Sequence, residues 1–97
     1  MSAYLAADHE NIRTLRLPNV TLLQRLVVNE SGFIFDPTHG DSFTLNQTGV
    51  ALLKLFRQLD NLEEIVSQIR AEFDIPERDA ERDVIEFAAA LTKSLRP

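Results

Sequence analysis

The sequence predicts a small α+β domain: three antiparallel strands followed by three helices. Three observations carry this. Residues 33–49, FIFDPTHGDSFTLNQTG, run from a β-prone apolar cluster through a dense turn signal into a polar–apolar alternation. From residue 47 the apolar spacing changes to that of a helix and stays so to the end. The chain has 97 residues, 44% of them hydrophobic and 26% charged, enough for one domain with one modest core.

Residues 1–10 are polar and alanine-rich without a period, and residues 11–17 alternate weakly, with Ile12 and Leu15 facing inward. Pro18 and Asn19 interrupt that run, so residues 1–19 are expected to form a flexible or extended arm and 20–97 the folded domain. Residues 20–28, VTLLQRLVV, are rich in β-branched and aliphatic side chains. They read as the first strand, although Leu22, Leu23, Leu26 and Val27 also suit one face of a helix. Asn29-Glu30-Ser31-Gly32 is a turn, and Phe33, Ile34 and Phe35 then make a second strand and a hairpin. Phe33 and Phe35 are expected to be architectural. The third strand follows the 36–41 turn and covers Ser42, Phe43, Thr44 and Leu45.

Asn46 stands at a helix N-cap position, and Val50, Leu53 and Phe56 follow at helical spacing. Gly49 in the first turn weakens the helix by about 1 kcal/mol relative to Ala, a cost that fits close approach to a strand. Asp60-Asn61 ends this helix and starts the next, with Glu64 completing a variant capping box. Leu62, Ile65, Val66, Ile69 and Phe73 form its apolar stripe. Pro76 suits the first turn of the C-terminal helix, whose core stripe is Ala80, Val84, Phe87, Ala88, Leu91 and Leu95.

Composition excludes several function classes. There is no cysteine, so disulfides, thiolate metal sites and a cysteine nucleophile are absent. The formal net charge is −5, which opposes sequence-independent nucleic-acid binding and adsorption to anionic membranes. No apolar run approaches the ~20 residues of a membrane span. The first residues lack a basic start followed by an apolar block, so the cytoplasm is the expected compartment. His9 and His39 have no partners at metal-ligand spacing, and no phosphate loop or nucleophile motif is present. No enzymatic activity, metal or cofactor is expected.

A helix, a tight corner and a second helix beside a small sheet raise the possibility of a degenerate winged-helix DNA binder. Residues 72–86 contain seven acidic side chains against two basic, and this net excess of five negative charges repels phosphate. A peptide or protein partner fits better. The third strand closes the sheet and is expected to keep a free edge. Beside the core stripe of the C-terminal helix runs a second stripe, Arg78, Arg82, Ile85, Ala89 and Thr92, which mixes cations with apolar and small residues. An edge strand next to such a helix suits strand addition by an extended peptide: the backbone supplies register and the helix selects side chains. From spacing alone an ordinary helix flank remains open. A free edge also permits pairing with a second copy of the chain.

The string Gly32-Phe33-Ile34-Phe35-Asp36-Pro37, followed by residues 40–49, GDSFTLNQTG, resembles the PqqD-like family. So do Leu62-Glu63-Glu64-Ile65-Val66, Phe73-Asp74, Asp83-Val84, Phe87 and Leu91 in that order. The likeness covers about residues 20–95, and the Gly-Phe-x-Phe-Asp-Pro form resembles stand-alone PqqD-like proteins more than PqqD itself. The resemblance implies a winged-helix-like fold and a non-enzymatic recognition element for ribosomally synthesised, modified peptides. Such a domain binds a precursor's leader as a strand beside the third strand and against the C-terminal helix. It then presents the leader to a modifying enzyme, often a radical S-adenosylmethionine protein. Those positions fall on Ser42, Phe43 and Thr44, and on Arg78, Arg82, Ile85 and Ala89. The alternative is a regulatory or structural interaction subunit without a precursor peptide, in a kinase-like system related to the phosphocarrier protein HPr.

Overall fold

The computed structural model describes residues 17–95. Its elements in chain order are α1 (Val20–Gln24), β1 (Val27–Val28), β2 (Phe33–Asp36), β3 (Asp41–Thr44), α2 (Gln47–Gln58), α3 (Leu62–Phe73) and α4 (Glu77–Ser94). The strands form one antiparallel sheet in the order β1-β2-β3, and three helices follow it. The α+β class therefore holds.

The first expected strand is corrected. Residues 20–24 are helical, and only Val27 and Val28 pair with β2. Two local facts favour the helix. The Asn19 side chain accepts a hydrogen bond from the Thr21 N–H at 2.8 Å, capping the first turn. Leu23 and Leu26, three apart, are both buried in the core. The i, i+3 spacing thus outweighs the β-branched composition, because packing decides where local propensity is weak. Of the expected arm, residues 1–16 lie outside the described residues. Leu17 packs against the core cluster and Pro18 is buried.

The β1–β2 turn is closed by Asn29, whose side chain accepts from the Ser31 N–H and hydroxyl at 2.8 and 2.7 Å. Gly32 there has φ +102°, and a Cβ would collide with the Leu45 carbonyl oxygen. Only glycine satisfies both constraints. Leu45 in turn donates its N–H to the Gly32 carbonyl at 2.7 Å, which draws the exit of β3 onto the start of β2.

Ile34 and Phe43 face each other across β2 and β3 and turn onto the helices. Period 2 then sends Phe33 and Phe35 to the opposite face, where they are 47% and 36% exposed. The expectation that both phenylalanines are architectural is corrected: β2 buries Ile34 and Asp36 instead. Val27 lies opposite Phe35 and is 56% exposed, so the outer face carries an apolar strip.

α2 and α3 are capped by Asn46 and Asn61, whose side chains accept from the Gly49 and Glu64 N–H groups at 2.8 and 3.0 Å. Asp74 ends α3 in a left-handed conformation, φ 54°. Helix α4 packs its Ala80, Val84, Ala88 and Leu91 face into the core, and the Phe56 and Phe87 rings meet at 5.9 Å.

Asp36 is 3% exposed, and Arg25 grips it with two hydrogen bonds, Nε to Oδ1 at 3.1 Å and a terminal nitrogen to Oδ2 at 2.9 Å. Thr38 adds a backbone N–H at 3.0 Å. The Arg25 hydrogen bond, opposed by burial and helped by Thr38 and the Arg25 and His39 charges, holds the Asp36 carboxyl below its ordinary 3.8. A carboxyl depressed in the folded state stabilises the fold above its unfolded pKa and loses that contribution as pH falls through the folded value. The urea midpoint of the native chain is therefore expected to drop below about pH 4. Asp36→Asn should be less stable at neutral pH and flatter across that acid window.

Candidate functional site

β3 is hydrogen-bonded to β2 alone, so its other edge is open among the described residues. The ladder shows which groups point outward. Residues 32 and 45 are joined by the Leu45 N–H to Gly32 carbonyl bond. In an antiparallel pair, hydrogen-bonded and non-hydrogen-bonded positions alternate. With Ile34 opposite Phe43, that pair is again hydrogen-bonded, as is Asp36 with Asp41. The N–H and C=O groups of Ser42 and Thr44 therefore point away from β2. The bond from the Asn29 N–H to the Phe33 carbonyl at 2.9 Å fits the same alternation: Phe33 and Phe35 serve β1, and Ile34 and Asp36 serve β3.

Among the residues expected at the site, Ser42 and Thr44 are exposed, while Phe43 is half-buried against the core. Arg78 and Ala89 are exposed on α4. Arg82 lies 3.5 Å from Asp79 and 3.8 Å from Asp83. Ile85 is 8% exposed and belongs to the hydrophobic core, so little of its side chain is left for a partner.

A groove of about 360 Å³ opens where β3 runs into α2. Asn46, Thr48, Gly49 and Leu52 form one wall, and Asp83, Glu86, Phe87 and Ala90 of α4 form the other. None of Arg78, Arg82, Ile85 or Ala89 lines it. At ~100° per residue the two sets lie on opposite flanks of the α4 core stripe. Sequence reasoning missed this second flank because the acidic run over residues 72–86 argued only against nucleic acid as a partner. One signal was present: Gly49, where an added Cβ would sit only 3.1 Å from the Leu45 Cβ and 3.3 Å from the Asn46 Oδ1.

The described residues contain no cluster of His, Cys, Asp or Glu able to hold a metal, and no helix long and apolar enough to cross a membrane. Against this geometry, residues 31–94 match the sequence profile of the family described as coenzyme PQQ synthesis protein D, PqqD. The chain belongs to the PqqD family. PqqD domains are non-catalytic accessory proteins that bind peptides and partner enzymes in pathways of ribosomally made, modified peptides. Membership thus suggests a peptide-recognition role. No curated protein and no solved structure matches the chain significantly.

The burial of Ile85 has a measurable consequence. Ile85→Ala is expected to lower the unfolding free energy by about 2–5 kcal/mol, as cavity-forming core substitutions do. Ala89→Ser, one helical turn on and exposed, should stay within about 0.5 kcal/mol. Urea denaturation distinguishes the two.

Proposed function

We propose that this PqqD-family chain is a cytoplasmic, non-enzymatic recognition domain that captures the leader of a precursor peptide as an added strand along β3 and presents it to a modifying enzyme. The observation that carries the reading is the pair of outward-facing backbone positions at Ser42 and Thr44, on an edge free among the described residues. An extended peptide docked there gains backbone hydrogen bonds without disturbing β2, and its register is fixed by the period of the strand. The groove at the β3 exit and the exposed flank of α4 supply the side-chain contacts. The net charge of −5 and the acidic run over residues 72–86 oppose nucleic acid as the partner.

A second reading is favoured by one observation, the exposed strip of Val27, Phe33 and Phe35 on the outer face of the sheet. It fits a protein-interaction subunit that docks a folded partner without a precursor peptide. Pairing of β3 with a second copy uses the same edge and competes with the peptide.

Peptides enriched on the protein from a random twelve-residue display library provide ligands for the test. Thr44→Pro removes an outward N–H and no ladder hydrogen bond, a substitution tolerated on edge strands. It should weaken those peptides at least tenfold by calorimetry while the thermal midpoint stays near that of the parent chain. Thr44→Ala keeps the backbone donor and should bind within about threefold, a difference under 1 kcal/mol. Equal binding by the proline variant would remove strand addition along β3.

A further inference from the structure

The groove at the exit of β3 carries more information than its position. One wall is the first turn of α2, where Thr48 and Gly49 precede the apolar Leu52. The other wall is α4, with Phe87 and Ala90 forming an apolar floor beside Asp83 and Glu86. No cationic side chain lines the groove. Asp83 has the Arg82 Nε at 3.8 Å, although Arg82 does not line the groove. Glu86 is exposed and makes no ion pair among the described residues.

Two electrostatic features compete here. The N-terminus of α2 contributes a positive end equivalent to roughly half a charge, and Asn46 already accepts one of its N–H groups. Against it stand two carboxylates, one of them without a cation. Full charges outweigh the partial one, so the groove presents a negative potential over an apolar floor. A groove of about 360 Å³ is at the low end of ligand pockets, which run from roughly 300 to 1,000 Å³. It takes side chains of an extended segment, not a folded element.

We infer that the groove selects clients with a Lys or Arg close to an apolar residue, the cation meeting Glu86 and Asp83 and the apolar side chain lying on Phe87 and Ala90. This rests on the peptide-recognition reading and specifies its client. In an extended strand, residues two apart face the same way. The recognised element is therefore a basic and an apolar residue at positions i and i+2. The α4 flank that carries Arg78 and Arg82 does not set this preference, because its residues do not line the groove.

The test is a display selection with random twelve-residue peptides on three forms of the full chain: the parent, Glu86→Lys and Glu72→Gln. Glu72 is an exposed α3 carboxylate that does not line this groove, so Glu72→Gln controls for general charge attraction. Circular dichroism confirms that each form is folded, and Glu86→Gln replaces Glu86→Lys if that variant is not. The parent and Glu72→Gln are expected to enrich the basic–x–apolar element, and Glu86→Lys to lose the basic position. In a parent-selected peptide, replacing the cation by Glu should weaken binding tenfold or more. Enrichment of peptides without a basic position overturns the inference and leaves peptide recognition standing. So does an unchanged motif on the Glu86 variant, or equal loss on Glu72→Gln. Failure to enrich any peptide overturns the recognition reading and the inference with it.

Discussion

The fork between Arg25 and Asp36 is the interaction on which the sheet depends. A carboxylate almost removed from water must be paired, because an unpaired charge there is far costlier than an unpaired surface charge. Arg25 follows the last residue of α1, and Asp36 is the last residue of β2, so the pair locks the first helix to the end of the central strand. Thr38 binds the same carboxylate and starts the turn into β3. With that end fixed by the fork and the other by the Gly32–Leu45 bond, the β2–β3 register has no freedom to slip. A one-residue slip would bury Phe33 and Phe35 and expel Ile34.

Fixed register decides which backbone groups of β3 are spent and which are left. Phe43 uses its pair on Ile34 and its side chain on the core, while Ser42 and Thr44 keep theirs for something else. Exposed edges invite pairing, and native proteins often blunt them with charge or proline. β3 carries neither at Ser42, Phe43 or Thr44, and Asp41 is its only charged residue. A four-residue edge makes few backbone bonds by itself. In the proposed reading, the adjoining groove supplies the side-chain selection that the short edge lacks. This division, backbone for register and side chains for selection, is what peptide recognition by strand addition requires.

Much of this was legible in the sequence. Asn46 and Asn61 announced their helices because an Asn side chain before an apolar period has one good use. The 36–41 turn marked the hairpin, and the string from Gly32 to Gly49 pointed to the family. The failures have physical causes. Residues 20–28 carry both a strand composition and a helical spacing, and only the burial of Leu23 and Leu26 resolves the conflict. Phe33 and Phe35 look like core residues by size, but alternation in a sheet covered on one face places them outside. Ile85 sits at the boundary of the α4 core stripe, where a small rotation of the helix decides between surface and interior. The groove wall of Asp83, Glu86, Phe87 and Ala90 was hidden because it exists only where α4 meets the start of α2.

The central claim is that a client lies as a strand along β3. Intermolecular nuclear Overhauser contacts test it most directly, measured on the isotopically labelled chain bound to an unlabelled display-selected peptide. The account requires cross-strand contacts from the peptide backbone to the amide protons of Ser42 and Thr44 and to the α proton of Phe43, while the Phe43 amide proton points to β2. Contacts confined to the outer face at Val27, Phe33 and Phe35, with none to the β3 backbone, would contradict it.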